Sequence, residues 1–564
     1  MVYQDRGVKR SFIQLLLVLL TQAVYASDMT SAEVARVIKQ AISRAEQIEQ
    51  IEPKAVIAVV DREGFVLGVW SLGKIPAASD AKATLLFKVA VVDAITKAGT
   101  AAFLSSDQNA FSSRTAGFIV QQHFPPKIQN RPNGPLVGVN FSNLEFTDVN
   151  RFKNPNVGYV ANKTSGTNGD PIAGFPFSAL TGLAGSPGGV PLYRADKLIG
   201  GVGVAGQTRA TKDSPFSILA DIQTQSQQTY DPDEDVALAG QIGFKPAPAI
   251  FGSNVLIDGI RVPYVNSTTR LGTVKLLGKV GSPVAPYTTP VKSPFVEYPK
   301  MFLGGQSCEV RAPIIADAET GGPVSGEING QPRLSASEVT AILDHASARA
   351  KITRAGIRLP AGKRAQVFIT VVNIPVLPNT KPDILGTIRT PDATIFSWDV
   401  SAQKARTAVF FSNNMRAFSS RTVGFLSQQF YPPGIANTAP GPFYGLQEQY
   451  SLLPDVLPNP LDNLLPVKVE NPLNKVVLAK VNILMTPNPY LPNGITIFPG
   501  GFPLYRNGVM IGAIGVSGDG IDQDDIIAAA GTVGFDAPAA IRADQQTYQG
   551  ARLPYAKFPR NPDL

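Results

Sequence analysis

Apolar residues recur at helical spacing in two places. Val34, Val37, Ile38, Ala41 and Ala45 form one stripe, and Val339, Ile342, Leu343, Ala346 and Ala350 form another. Spacing of three and four residues predicts an amphipathic helix with one buried face. Each stripe follows a helix-start signature, Thr30-Ser-Ala-Glu33 and Ser335-Ala-Ser-Glu338. In both, the hydroxyl can cap free backbone N–H groups while the Glu reaches back to the cap residue. Met29 with Val34, and Leu334 with Val339, complete a hydrophobic staple. Short, mostly apolar runs, Val56 to Val60 and Val367 to Val372, the second interrupted by Thr370, predict strands. Gly189-Val-Pro-Leu-Tyr-Arg194 leading to Leu198–Gly206, and Gly501-Phe-Pro-Leu-Tyr-Arg506 leading to Met510–Gly518, predict two hairpins.

These elements come in pairs because the chain repeats itself. Lys97 to His123 and Lys404 to Phe430 align without a gap, with 16 of 27 positions identical. Acidic helix starts at Asp233-Glu234 and Asp524-Asp525 close the two series, each followed by an Arg-x-Pro-Tyr ending at Tyr264 or Tyr555. Acids suit that place because a helix N-terminus attracts negative charge. Each unit therefore reads helix, two strands, helix pair, two or more strands, helix. Hairpins dominate the strand connections, so the fold class is α/β (α+β), a mainly antiparallel sheet flanked by helices. The expected units are 28–264 and 333–564, joined by a Gly/Pro/Ser/Thr-rich linker at 265–332. Long Pro/Asn/Gly-rich insertions occupy 125–187 and 432–499, and loops of that length usually serve function or interfaces.

The first 26 residues differ from the rest. Lys9 and Arg10 precede an apolar run from Phe12 to Leu20, and small residues close it at Ala26. This is the pattern of a signal peptide cleaved after Ala26, which implies a periplasmic or secreted protein. The run is too short to span a bilayer, and no second run is long enough. The 564-residue chain carries a net charge of +8. It has no Lys/Arg cluster and no aromatic–basic alternation, so nucleic-acid binding has no support. The single cysteine, Cys308, excludes an internal disulfide and reads as an inert buried thiol or as a reactive one.

Other motifs point to structure. Gly201-Val-Gly-Val-Ala-Gly206 matches a dinucleotide-binding spacing, but no helix follows it and the repeat has Ala513 in place of Gly201. Close strand packing explains these glycines. Asp519, Asp522, Asp524 and Asp525 lack the spacing of an EF-hand and read as helix-start acids.

The order of motifs, occurring twice, resembles the GlcG/HbpS family of haem-degrading, PduO-C-like domains. The resemblance rests on Ile57-Ala-Val-Val-Asp61-Arg-Glu-Gly64, on Lys97-Ala-Gly-Thr100-Ala and Lys404-Ala-Arg-Thr407-Ala, and on Gly500-Gly-Phe-Pro503 through Gly518. It covers most of 28–264 and 333–555 apart from the insertions. The second copy departs from it at Asn373, where the first has Asp61. The resemblance implies tandem profilin-like domains, packed as a family dimer would be. It also implies a small-molecule ligand, haem, in haem handling or sensing, and oligomerisation; the long loops, by their length, offer a surface for a protein partner.

Haem iron takes His, Tyr, Cys or Met. The chain has two histidines: His345, flanking the apolar stripe of its helix, and His123, ending the repeated Ser-Ser-Arg-Thr helix. Each reads as an axial ligand or as a surface or cap residue, with His345 the leading ligand. Tyr193 and Tyr505 are the next candidates. Arg114 and Arg421 read as partners for haem propionates or as structural arginines. No Ser-His-Asp set recurs in both units. The functions in competition are an exported haem- or tetrapyrrole-binding protein, an enzyme acting on haem or a small organic acid, and an interaction protein using its long loops.

Overall fold

The computed structural model describes residues 29–48, 55–121, 183–206, 230–267, 280–317, 326–446 and 494–557, apart from short gaps, together with parts of 124–152. The leader at 1–26 and His123 lie outside the described residues.

The first half runs α1 (Ser31–Gln47), β1 (Ala55–Asp61), β2 (Val66–Ser71), α2 (Ala81–Leu104), α3 (Ser113–Ile119), α4 (Asp148–Arg151), β3 (Gly189–Arg194), β4 (Lys197–Gly206) and α5 (Pro232–Gly240). Next come β5 (Ser282–Pro283), β6 (Lys300–Leu303) and β7 (Gln306–Ala312). The second half adds α6 (Ala336–Ile352), β8 (Phe368–Asn373), β9 (Ile384–Arg389), α7 (Ser397–Phe410), α8 (Ser420–Leu426), β10 (Gly501–Arg506), β11 (Val509–Ser517) and α9 (Ile521–Gly531). Both expected capping boxes form. Thr30 accepts from the Glu33 backbone and Ser335 from that of Glu338, and each Glu side chain returns the bond. A cap of this kind contributes about 1 kcal/mol.

Two antiparallel sheets result, in the orders β3-β4-β1-β2-β5 and β10-β11-β8-β9-β7-β6. The first four strands of each order are equivalent. Their registers are also equivalent: Val60 faces Gly201 and Val372 faces Ala513. Both hairpins shift register at the same step, after Leu192 and after Leu504. The expected mainly antiparallel α/β architecture is therefore observed.

The glycine-rich strands have a packing reason. A Cβ on Gly203 would lie 2.0 Å from the carbonyl oxygen of Ala94, and one on Gly201 would lie 2.2 Å from that of Ala98. Both carbonyls belong to α2, so β4 and α2 approach closer than any side chain permits. In the second half, a Cβ on Gly515 would lie 1.9 Å from the Ser401 carbonyl on α7.

The stretch 265–332 is more than a linker. It supplies β5 to the first sheet and β6 and β7 to the second. Strand β7 also carries Arg311, which crosses to the first half. Its Nη1 and Nη2 donate to Glu63 at 2.8 and 3.0 Å, and its Nε donates to Glu309 at 2.8 Å. The guanidinium lies 3.8 Å from the Tyr298 ring centroid. Burial works against the charge on Glu309, but Arg311 and then Arg389 hold its carboxyl well below the usual carboxylate range. Further bonds tie the halves together. The Asp107 N–H and the Gln108 amide donate to Asp392 at 2.9 and 3.0 Å, and the Val149 N–H donates to Asp399 at 2.8 Å. One hydrophobic core contains Val91, Ala94, Ile95 and Phe103 of α2 together with Phe368, Phe396 and Trp398 of the second half.

Candidate functional site

The most repeated block of the sequence places a lysine on the inner face of a buried helix in each half. Lys97 on α2 and Lys404 on α7 are both almost fully buried. Lys97 Nζ donates to Asp233 at 3.0 Å and to the Val204 carbonyl at 3.1 Å. Lys404 Nζ donates to Asp524 at 2.8 Å and to the Val516 carbonyl at 2.9 Å. The acids open α5 and α9, and the carbonyls end β4 and β11. A strand end, a helix start and a central helix thus meet at one point in each half.

Glycine makes the meeting possible. Gly188 and Gly500 have φ of +120° and +117°, a region side chains rarely adopt. A Cβ on Gly500 would lie 3.0 Å from the Cβ of Asp524 and 3.1 Å from Lys404 Nζ. Burial raises the Asp524 carboxyl to about 6, with Lys404 pulling it the other way. At Lys97 burial opposes the charge, but Asp233 and then Asp93 overcome it and hold the ammonium charged.

The acids near 519–525 do not cap their helix. The N-cap of α9 is Gly520, with no side-chain cap. The acids instead take the protein's own cations: Asp524 holds Lys404, Asp522 and Asp525 hold Arg421, and Asp519 pairs with Arg358. Burial pushes Asp519 up to about 7, opposed by Arg358.

Arg114 and Arg421 are both paired with acids of their own half. Arg114 Nε and Nη2 donate to the two oxygens of Glu234 at 2.8 and 3.1 Å, fully buried. Arg421 Nε donates to Asp525 at 2.8 Å and Nη2 to Asp522 at 2.6 Å. With fork-like guanidiniums held by these carboxylates, the described residues give the propionate reading no support. Tyr193 and Tyr505 are buried, with each phenol pointing at the carbonyls of a turn. The Tyr193 hydroxyl lies 2.7 Å from both the Ser106 and Asn109 oxygens, and that of Tyr505 lies 2.8 Å from the Asn413 oxygen. Burial pushes both phenols well above their usual range, which disfavours the phenolate form a metal takes.

The remaining described candidate ligand is His345. It is exposed on α6, on the same side as exposed Ala348 and Ile352. Cys308 is fully buried, its Sγ 3.4 Å from the Ser347 hydroxyl, and burial raises its pKa; the inert reading fits. Among the described residues no three His, Cys, Asp or Glu side chains are grouped to hold a metal, and no helix is long and apolar enough to cross a membrane.

Residues 348–532 match the family model described as haem degrading protein HbpS-like. The match runs from the last turn of α6 through α9. No curated protein matches the chain. A crystal structure of a PduOC:heme complex is 20% identical, covering 36% of this chain and 97% of that one, with a TM-score of 0.22. The Klebsiella pneumoniae protein ORFY, of the family model DUF336, is 16% identical, covering 38% and 89%, with a TM-score of 0.18.

The Lys–Asp pairs were missed by reading the sequence alone. The lysines were visible in the repeated block, but their acids lie 136 and 120 residues away.

Proposed function

We propose that this chain is a haem-associated binding protein of the HbpS-like type, exported by its leader and built from two such units, 28–264 and 333–564. The observation that carries the reading is the HbpS-like match over 348–532. The equivalent strand order of the first sheet supports extending it to the first half. Haem would supply an iron centre able to take an axial imidazole. Of the ligands considered, His345 is the one whose side chain is open to solvent among the described residues. Ala348 and Ile352 would offer apolar surface beside it, and Arg114, Arg421, Tyr193 and Tyr505 are committed elsewhere.

The test is titration of the purified full-length chain with haemin, followed by Soret absorbance. A saturable shift that is lost in His345→Ala and kept in Tyr193→Phe is the expected result. No saturable shift in wild type rejects haem binding. A shift unchanged in both His345→Ala and His123→Ala keeps haem but removes both imidazoles. For export, the N-terminus of the mature protein should be Ser27; recovery of full-length chain from the cytoplasm alone would contradict it.

A further inference from the structure

The buried Lys–Asp pairs are not used by the haem reading, and the two halves differ at them. An ammonium has three N–H donors. Lys97 spends its donors on Asp233, the Val204 carbonyl and Asp93, the last at 3.2 Å, one helical turn back on α2. In the second half the position one turn before Lys404 is Val400, which is buried and apolar. Lys404 therefore has two acceptors, Asp524 and the Val516 carbonyl, and one donor left over among the described residues. Its partner is incomplete as well. Asp524 Oδ2 takes Lys404 and the Gly518 N–H, while Oδ1 is buried with no hydrogen-bond partner. Gly500, which can carry no side chain at its φ without strain, lets the backbone pass close to this pair: a Cβ there would lie 2.6 Å from the Val516 carbonyl oxygen and 3.1 Å from Lys404 Nζ.

We propose that Lys404 and Asp524 form a buried binding site for a single hydroxyl group, and that Asp93 closes the equivalent site in the first half. A hydroxyl oxygen accepts from the spare N–H of Lys404 while its proton is donated to Asp524 Oδ1. A carbonyl or ether lacks the proton that Oδ1 requires. An anion is repelled by Asp524 and Asp525, and a cation by Lys404. Water and a small alcohol present the same chemistry. In the first half Asp233 Oδ1 and the Ser186 hydroxyl are also buried without partners, but the Lys97 ammonium has no donor left to share. A hydroxyl there is not held by the lysine.

The test is a high-resolution crystal structure of the full chain, grown with and without ethylene glycol. The expected result is a non-protein oxygen within hydrogen-bond distance of both Lys404 Nζ and Asp524 Oδ1, with none on Lys97 Nζ. Density continuing beyond that oxygen in ethylene glycol identifies a ligand alcohol, and a lone oxygen identifies water; either upholds the site. Two reciprocal variants exchange the halves. Val400→Asp should displace the oxygen from Lys404, and Asp93→Val should bring one onto Lys97 and Asp233. Asp93 is partly exposed, so the second variant tests the idea even where the first fails to fold. A wild-type structure with no such oxygen overturns the proposal, as does Asp93→Val with Lys97 Nζ still without a new partner. Neither outcome depends on haem, so failure here and failure of the haem titration are separable.

Discussion

Replacing Arg311 with Met removes one of the cations that join the halves. Its guanidinium is fully buried and makes two bonds to Glu63, itself buried, and one to Glu309. Burying an ion pair costs desolvation of both partners, so the intact pair contributes little net stability. Removing one partner is different, because Glu63 would stay buried without its counterion. Such a change costs about 3–5 kcal/mol. Urea unfolding of the full chain, followed by tryptophan fluorescence, should show the midpoint fall accordingly. The double variant Glu63→Gln with Arg311→Met should recover a large part of that loss, since no charge is stranded at Glu63. The pH dependence has a defined sign. Burial opposes the Glu63 charge, but Arg311 holds its carboxyl below the ordinary value. The contribution is present above the unfolded-state Glu value of about 4.3 and is lost as pH falls below it. A single-variant loss under about 1 kcal/mol would refute the stranded-charge account, as would a double variant equal to the sum of the single losses.

Asp519 and Asp524 act in the opposite direction, since burial raises them to about 7 and about 6 in the folded chain. Their unfolded value is about 3.9, so the folded state gains protons first, and stability should rise as pH falls from about 7.5 towards 5. A thermal midpoint that is flat or falling over that range would contradict this. Tyr193→Phe removes a buried hydroxyl donor from two turn carbonyls and should cost about 1–2 kcal/mol in the same urea assay without altering a haemin titration; a lost Soret shift would return Tyr193 to the candidate ligands. Gly515→Ala forces a Cβ to within 1.9 Å of the Ser401 carbonyl, so soluble yield and thermal midpoint should drop sharply; a variant as stable as wild type would show that β11 and α7 are not in this contact.

Much of the fold was legible in the chain because its signals are local. Capping boxes at Thr30 and Ser335 act over three residues, and hairpins at 189–206 and 501–517 are set by strand pattern and a two-residue turn. The duplication then doubled each signal. Partnerships between distant charges were not legible. Arg114 and Arg421 read either as propionate partners or as structural arginines, and only the folded chain shows Glu234 and Asp525 beside them. The supposed linker proved to carry strands and the Arg311 bridge because strand pairing at a sheet edge depends on where that edge lies, not on the composition of the segment. Sequence by itself determined which residues form helices, hairpins and caps, and that the series occurs twice. Only the tertiary structure decided which buried charge meets which, because partners as far apart as Glu63 and Arg311, 248 residues, are chosen by the packing of sheets and helices and by the cost of leaving any charge there unpaired.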